Sequence, residues 1–195
     1  MEKKNEQMLL IVIAFAVGVL VGVIGAKVTQ ETPSQSPTAP AVAPPAAPQV
    51  NYQQQIQQLK QIVASDPENR NAWARLGHAY FDSNQPAKAI EAYDKALALN
   101  PNDADLLTDQ GVMFRRMGWY DKAIENFSKA NEVNPSHAVS LFNLGIVYRY
   151  DLQEFDKAIE AWEKYLQVNP TGQQAEQVKA ELEFLKSHPE VPKGQ

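Results

Sequence analysis

The chain has 195 residues, a formal net charge of −5 and no cysteine. This length allows one domain of ordinary size, and 44% hydrophobic with 21% charged residues is close to the globular average. An acidic chain offers no basic field for phosphates, which excludes nucleic acid as the expected partner, and the lack of thiols excludes disulfides and thiolate metal sites.

An uncharged apolar run lies near the amino terminus, at residues 8–26. As an α-helix its 19 residues are about 28 Å long, close to the ~30 Å hydrocarbon core of a bilayer. Two lysines precede the run and one follows it, which favours residues 1–7 in the cytoplasm and the remainder across the membrane. Signal peptides usually have about 7–15 apolar residues, so we expect an uncleaved, single-pass signal anchor. A cleaved signal peptide and an inverted, cytoplasm-facing topology are the alternatives.

Small residues recur within this run at every fourth position, at Ala14, Gly18, Gly22 and Ala26. This spacing places them on one helix face, where they would let two anchors approach closely and form a homodimer. The alternative is the ordinary abundance of glycine and alanine in membrane helices.

Residues 27–50 contain six of the 13 prolines, many alanines and almost no charge. Such a segment cannot bury a core, and we expect an extended linker that reaches on the order of 70 Å from the membrane. A polyproline ligand for an aromatic groove is the alternative use.

The rest of the chain is repetitive. An Asp or Asn precedes proline at intervals of 34, 34 and 35 residues, at Asp66, Asn100, Asn134 and Asn169. Proline disfavours the α conformation in the residue before it, so each pair predicts the end of a helix. The heptads AKAIEAY, DKAIENF and DKAIEAW recur with nearly the same period, which indicates one supersecondary unit stacked on itself.

Two helices are predicted in each unit. In the first unit, Trp73, Leu76, Gly77 and Tyr80 share one face of a helix over about 70–83. A polar turn follows, and the proline after it suits the first turn of a second helix, where its missing N–H costs little. The recurring heptads are the beginnings of these second helices.

These residues resemble the tetratricopeptide repeat (TPR) family, which has Trp, Leu, Gly and Tyr on the first helix and Ala, an aromatic residue, Ala and Pro on and after the second. The matching residues of the second and third units are Leu107, Gly111, Phe114, Ala123, Phe127, Ala130 and Pro135, and then Leu141, Leu144, Gly145, Tyr148, Ala158, Trp162 and Pro170. Two positions depart from the pattern: Gln110 replaces a large apolar residue, and Tyr165 replaces an alanine. One extra residue in the third unit predicts a longer turn near 150–152.

The resemblance implies an all-α solenoid of about eight helices. Its expected parts are a degenerate half-repeat at 51–69, three repeats at 70–103, 104–137 and 138–172, a capping helix at 173–187 and a loose tail at 188–195. Ile56, Leu59, Ile62 and Pro67 look like the second helix of this half-repeat. The capping helix should cover the apolar side of the last repeat with Ala175, Val178, Leu182 and Leu185.

No catalytic, cofactor or metal pattern accompanies the repeats. His78, His137 and His188 are far apart in sequence, and the chain has neither a nucleophile elbow nor a phosphate-binding loop. A haem-attachment Cys-x-x-Cys-His motif is also absent. We therefore expect no enzyme activity, no cofactor and no metal site.

The family implies a groove lined by the first helices that binds an extended or helical protein segment. The candidate residues are Asn71, Ala74, Arg75, His78 and Phe81; Asp105, Thr108, Asp109, Val112, Arg115 and Arg116; and Val139, Phe142, Asn143, Ile146, Arg149 and Tyr150. Because three arginines accompany apolar residues, we expect a partner with acidic and apolar groups. Glutamate in place of Arg115, Arg116 and Arg149 should abolish binding and leave the melting temperature nearly unchanged.

A single anchor followed by a few such repeats is similar to assembly factors of cytochrome c maturation and to other bacterial envelope scaffolds. This likeness implies a noncatalytic adaptor at a bacterial inner membrane, with its repeats in the periplasm. A self-associating structural membrane protein and a cytoplasm-facing adaptor are the alternatives.

Overall fold

Eight α-helices follow one another in the computed structural model, which describes residues 51–188, all of them within one compact unit, Pro48–Gln195. They are α1 (Tyr52–Ser65), α2 (Arg70–Asp82), α3 (Pro86–Leu99), α4 (Ala104–Arg116), α5 (Tyr120–Val133), α6 (Ala138–Ile146, continued by a π-helical turn Val147–Asp151), α7 (Phe155–Val168) and α8 (Gln173–Ser187). No strand occurs within these residues, and the expected all-α solenoid is confirmed for them.

The predicted anchor, linker and most of the tail lie outside the described residues. Among the helices of residues 51–188, none has the length and apolar character needed to cross a bilayer.

The repeated Asp-Pro and Asn-Pro pairs end helices as predicted. Asp66, Asn100, Asn134 and Asn169 are the C-caps of α1, α3, α5 and α7, with ψ between 76° and 100°. Each of the following first helices has a side-chain N-cap, in which Asn69, Asp103 or His137 accepts a hydrogen bond from a first-turn N–H. In these three cases the dipeptide ends one helix, and the residue two positions after its proline caps the next. After Asn169-Pro170 that position is Gly172, which makes no side-chain cap.

Close contact between the two helices of a repeat depends on a glycine opposite an aromatic ring. Gly77 lies against Tyr93 and Gly145 against Trp162, and in the second repeat a Cβ at Gly111 would lie 2.6 Å from the Phe127 ring. Tyr93, Phe127 and Trp162 are at most 1% exposed. The aromatic ring occupies the space that a side chain on the first helix would otherwise need.

The leading half-repeat contains the expected helix, and the structure shows which of its apolar residues are buried. Ile56 and Leu59 are buried, whereas Ile62 is 40% exposed and Val63 is buried instead. Because Ile56, Leu59 and Val63 follow the spacing i, i+3, i+7 of one helix face, Ile62 turns outward.

Gln110 occupies the apolar position of the second repeat because it belongs to a buried polar network. Its Nε2 donates to Asp94 Oδ1 at 2.7 Å and to the Ile90 carbonyl at 3.3 Å, and its Oε1 accepts from Asn126 Nδ2 at 2.7 Å. The side chain is 3% exposed, so these bonds replace the water that it loses.

The extra residue of the third repeat is accommodated in the last turn of its first helix. Residues Val147–Asp151 form a π-helical turn, and the turn that follows is closed by a 2.8 Å bond from the Glu154 N–H to the Tyr148 carbonyl. Gln153 then has φ 57°, as Asn84 has φ 56° in the first repeat. The expected longer turn is thus a wider helical turn followed by a connection that resembles that of the first repeat.

Helix α8 covers the last repeat as predicted, with Ala175, Val178, Leu182 and Leu185 buried against Trp162 and Tyr165. Tyr165, which replaces the usual alanine, is fully buried and uses its hydroxyl at both ends of the connection. The hydroxyl donates to Gln174 Oε1 at 3.1 Å and accepts from Asn169 Nδ2 at 2.7 Å. Through these two hydrogen bonds the Tyr165 side chain connects α7 to the beginning of α8.

Candidate functional site

The first helices of the three repeats, α2, α4 and α6, are connected by polar contacts between a basic side chain and an aspartate. His78 Nε2 lies 3.1 Å from Asp109 Oδ2, which joins α2 to α4. At the beginning of α4, His137 Nε2 lies 2.9 Å from Asp105 Oδ1. At the end of α4, Arg115 Nε donates to Asp151 Oδ2 at 2.5 Å. These contacts hold the three helices next to one another. We call the surface formed by the solvent-accessible side chains of α2, α4 and α6 the first-helix face.

Most of the predicted groove residues have accessible surface on this face. Asn71, Arg75, His78, Asp105, Arg116, Val139 and Tyr150 are exposed, and Phe81, Asp109, Val112, Arg115, Phe142, Asn143, Ile146 and Arg149 are partly buried. Ala74 is buried against the core.

Thr108 was expected on the surface, and the structure corrects this expectation. Its side chain is 3% exposed, and its hydroxyl donates to the Ala104 carbonyl at 2.8 Å. The same oxygen lies 3.4 Å from His137 Nδ1. Thr108 therefore contributes to the seam between α4 and α6 and not to a partner contact.

Arg115 is engaged within the chain. Its Nε and one terminal nitrogen donate to the two oxygens of Asp151, at 2.5 and 3.2 Å, across the boundary between the second and third repeats. The Asp151 side chain is 16% exposed. This two-pronged geometry fixes both the guanidinium plane and the carboxylate. The positive charge of Arg115 is thus balanced before any partner binds.

Arg149 is also engaged within the chain, one repeat later, by a single carboxylate and three aromatic rings. Its Nε lies 3.4 Å from Glu181 Oε2 on α8, and the rings of Tyr150, Phe155 and Phe184 surround the guanidinium at 5.1–5.5 Å. Burial and a hydrogen bond to Glu181 raise the pKa of the Tyr150 hydroxyl. Arg149 therefore connects the third repeat to the capping helix.

Arg75 and Arg116 are the exposed cations of the first-helix face. The Arg116 guanidinium lies over the Phe81 ring, 4.7 Å from its centroid, and extends from the end of α4. The interpretation of three converging arginines therefore changes. Two of them stabilise the stack, and Arg116 together with Arg75 carries the unbalanced positive charge.

The three histidines serve separate local roles. His78 pairs with Asp109 and packs edge-on against Tyr93, with ring centroids 5.5 Å apart. His137 caps α6, and His188 stacks on Phe184 at the end of α8. Within residues 51–188, no three His, Cys, Asp or Glu side chains gather in a way that could hold a metal ion.

A feature of the second helices was not predicted from the sequence. In each repeat a lysine from the recurring heptad lies over an aromatic ring of the preceding first helix: Lys88 over Tyr80 at 5.6 Å, Lys122 over Phe114 at 5.5 Å and Lys157 over Tyr148 at 5.4 Å. Clefts of about 320 and 370 Å³ open beside the first and third of these pairs. The constant position of the lysine in the heptad is the signal that could have indicated this surface.

Comparison with known families identifies the repeats. Residues 45–176 match the family described as "Cytochrome c-type biogenesis protein H TPR domain". The chain belongs to this family. The expected relation to TPR proteins and to cytochrome c maturation factors is thereby confirmed.

Solved structures of other TPR proteins show the same fold. A crystal structure of MamA has 29% identity and a TM-score of 0.65, over 70% of this chain and 79% of that one. The structure of YrrB, described as "a TPR protein with an unusual peptide-binding site", has 26% identity and a TM-score of 0.61, over 66% of each chain.

A curated relative is the general transcriptional corepressor trfA of Dictyostelium discoideum, which is 33% identical over 72 residues. The match covers 36% of this chain and 5% of that much longer protein, so the likeness concerns the repeats alone.

Proposed function

We propose that the protein is a noncatalytic TPR adaptor that binds a segment of a partner protein on its first-helix face. In the proposal, residues 8–26 anchor it in a bacterial inner membrane, with the repeats in the periplasm. The TPR fold itself is that of a protein-interaction scaffold. The location and the partner are the parts that the proposal adds.

The observation that carries the proposal is the combination of side chains on α2, α4 and α6. Val112, Phe142 and Ile146 keep accessible apolar surface, and the exposed cations Arg75 and Arg116 belong to the same face. Apolar side chains supply contact area when a partner covers them, and charges at the border select a partner of opposite sign. The proposed ligand is therefore a segment with apolar anchors and carboxylates.

The family name suggests which process the partner serves. Because the family is named for c-type cytochrome biogenesis, we propose that the partner is a component of that process. This chain has no cysteine and cannot itself carry a Cys-x-x-Cys-His haem-attachment motif. Any such motif must belong to the bound protein, and the role of this chain is to hold that protein in place.

Site-specific photo-crosslinking in cells of the native host tests the proposed face. A photoreactive amino acid placed at Arg75 or Val139 should give the same crosslinked partner from both positions. The same probe at Glu125 or Lys129, on the exposed side of the second helix α5, should give none of that product. Equal yields from both sets of positions would show that the first-helix face is not the binding surface.

The membrane part of the proposal has its own test. The full chain should remain in the membrane pellet after alkaline carbonate extraction, whereas a chain without residues 1–26 should be released. A reporter that is active only in the periplasm should be active when it is fused after Gln195. Activity of a cytoplasm-dependent reporter at this position would instead support the inverted topology.

Self-association through Ala14, Gly18, Gly22 and Ala26 is a prediction about residues that the structure does not describe. Replacement of Gly18 and Gly22 with leucine should convert a dimeric full chain to a monomer if that stripe pairs two anchors. An unchanged mass in detergent would contradict the dimer and leave the adaptor proposal intact.

A further inference from the structure

The two clefts on the second-helix side occupy equivalent places in the stack. The first is formed by α1, α2 and α3, and the second by α5, α6 and α7. The residues that line them correspond position by position, two repeats apart: Leu76 corresponds to Leu144, Tyr80 to Tyr148 and Ala92 to Ala161. Because the two linings correspond, the residues that differ between them determine how the two clefts differ in chemistry.

The middle repeat has different side chains at two of the corresponding positions. At the positions of Leu76 and Ala92 it has Gln110 and Asn126, whose side chains are hydrogen-bonded to each other at 2.7 Å. In the first and third repeats the alanine leaves space above an apolar floor. Ala92 and Ala161 line the two clefts at the position that Asn126 occupies in the middle repeat.

The two clefts differ in charge. The first is bordered by Lys60, Lys88, Lys95 and Glu91, which gives it a formal charge of +2. In the second, Ser128 replaces Lys60 and Glu132 replaces Ala64, so two lysines and two glutamates give a formal charge of zero.

The lysines of the two clefts also differ in their partners. In the second cleft, Lys157 and Lys164 are paired with Glu154 and Glu160 at 2.6 and 2.7 Å. In the first, Lys60 and Lys95 have no ion pair with any described residue, and Lys88 is bound to the neutral Gln85 side chain at 2.8 Å. The first cleft is therefore a positively charged site in an acidic protein.

We propose that this first cleft, which we call the α1–α3 cleft, is a second docking site for a protein segment that presents one large apolar side chain between carboxylates. Trp73 and Tyr80 supply its aromatic wall, and the Trp73 indole is held by a 2.8 Å bond to the Pro67 carbonyl. Its volume of about 320 Å³ lies at the small end of the ~300–1,000 Å³ range of binding clefts. One large apolar side chain can enter it, and the three lysines attract the flanking carboxylates.

This site is separate from the proposed first-helix face. The α1–α3 cleft opens between the successive second helices α1 and α3, whereas the proposed function depends on α2, α4 and α6. A bound protein segment is favoured over an anionic lipid surface because the cleft is a recess with an apolar floor that a single side chain can enter. Two surfaces would let the scaffold hold two segments at once.

The test uses the full chain in mild detergent and a defined probe, the fluorescein-labelled peptide Gly-Asp-Glu-X-Glu-Asp-Gly, in which X is benzoylphenylalanine. Fluorescence anisotropy measures its affinity, and irradiation followed by mass spectrometry locates the anchor. We expect crosslinks to α1–α3. We also expect at least tenfold weaker binding of peptides with lysine at the four acidic positions or with glycine at the anchor.

The second cleft supplies matched variants. Lys60→Ser with Ala64→Glu converts the α1–α3 cleft to the charge of the second cleft, and both positions are exposed, so the fold should survive. This variant should bind the probe at least tenfold more weakly. The reciprocal pair Ser128→Lys with Glu132→Ala should add a second crosslinked site at α5–α7. Circular dichroism of every variant verifies the fold.

Other outcomes would overturn the proposal. It fails if the probe does not bind, if its crosslinks fall on α4–α6 or elsewhere, or if the Lys60→Ser, Ala64→Glu variant binds equally well. It also fails if vesicles of phosphatidylcholine and phosphatidylglycerol bind through these lysines while the peptide does not. Because Arg75 and Arg116 are unchanged in all of these variants, failure here is distinct from failure of the first-helix face.

Discussion

Arg115 on α4 and Asp151 at the end of the third repeat's first helix form a two-pronged ion pair, 36 positions apart in the chain. Neighbouring Arg116 instead points over Phe81 and is exposed. Two adjacent arginines thus have different tasks. The first stabilises the boundary between repeats, and the second is available to a partner.

Arg115→Glu should therefore destabilise the protein, whereas Arg116→Glu should not. The new glutamate would face Asp151 without a counter-charge, and we expect a loss of about 1–3 kcal/mol in the free energy of unfolding, moderated by partial solvent exposure. Arg116→Glu should change it by less than about 0.5 kcal/mol. Urea unfolding followed by circular dichroism measures both. Equal stabilities would show that the pair with Asp151 contributes nothing.

The network of Gln110, Asp94 and Asn126 gives a second prediction. Gln110→Leu or Asn126→Ala alone leaves a partner without its hydrogen bond, at a cost of about 1–2 kcal/mol. The double variant reproduces the Leu76–Ala92 and Leu144–Ala161 pairs of the other repeats, and its stability should return to within about 1 kcal/mol of the wild type. Additive losses in a double-mutant cycle would contradict a coupled network.

Gly145→Ala should be destabilising although alanine is the better helix former. A methyl group there would overlap the Trp162 indole, which is 1% exposed and fixed by a 3.2 Å bond to the Phe142 carbonyl. We expect overpacking of about 1–3 kcal/mol to exceed the gain of about 1 kcal/mol in helix propensity. Thermal unfolding tests this, with Ala180→Gly on the exposed side of α8 as the measure of propensity alone. A higher melting temperature for Gly145→Ala would refute the close contact.

The capping role of α8 is tested by truncation. Removal of 171–195 exposes Trp162 and Tyr165, whereas removal of 189–195 leaves α8 and its apolar side chains in place. The first truncation should lower the melting temperature and cause aggregation, and the second should do neither. Leu182→Ala in the full chain should cost about 2–4 kcal/mol, since the side chain is 6% exposed. An unchanged melting temperature after the longer truncation would exclude a capping role.

Much of the fold could be predicted because its signals are local. Proline fixes the helix ends, and the spacing of Trp73, Leu76 and Tyr80 identifies the buried face within a few residues. The choice between Ile62 and Val63 could not be predicted, because the two adjacent apolar residues differ by only one position along the helix, and the structure buries Val63. The π-helical turn at 147–151 could not be predicted because an extra residue can either widen a helix or lengthen a loop, and the sequence does not distinguish the two.

The candidate site was predicted less fully because its charges are balanced by distant residues. Nothing near Arg149 in sequence indicates that Glu181, 32 positions later, will neutralise it. The position of Thr108 in the repeat predicts a surface residue. Its bond to the Ala104 carbonyl and its contact with His137 show instead that it faces the neighbouring helix. The recurring heptad predicts that each unit buries the same helix face. It does not indicate that the lysine within it also borders the second-helix clefts.

The central claim is that the first-helix face binds a partner segment through Arg75 and Arg116 beside accessible apolar side chains. It is tested most directly by placing a photo-crosslinker at Val139 in the full chain and measuring the yield of the partner adduct in the native host. Arg75→Glu with Arg116→Glu should abolish the adduct, with melting nearly unchanged because both arginines are exposed. The control Lys122→Glu with Lys129→Glu, an equal charge change on α5, should retain it. An adduct of undiminished yield from the arginine variant would contradict the claim.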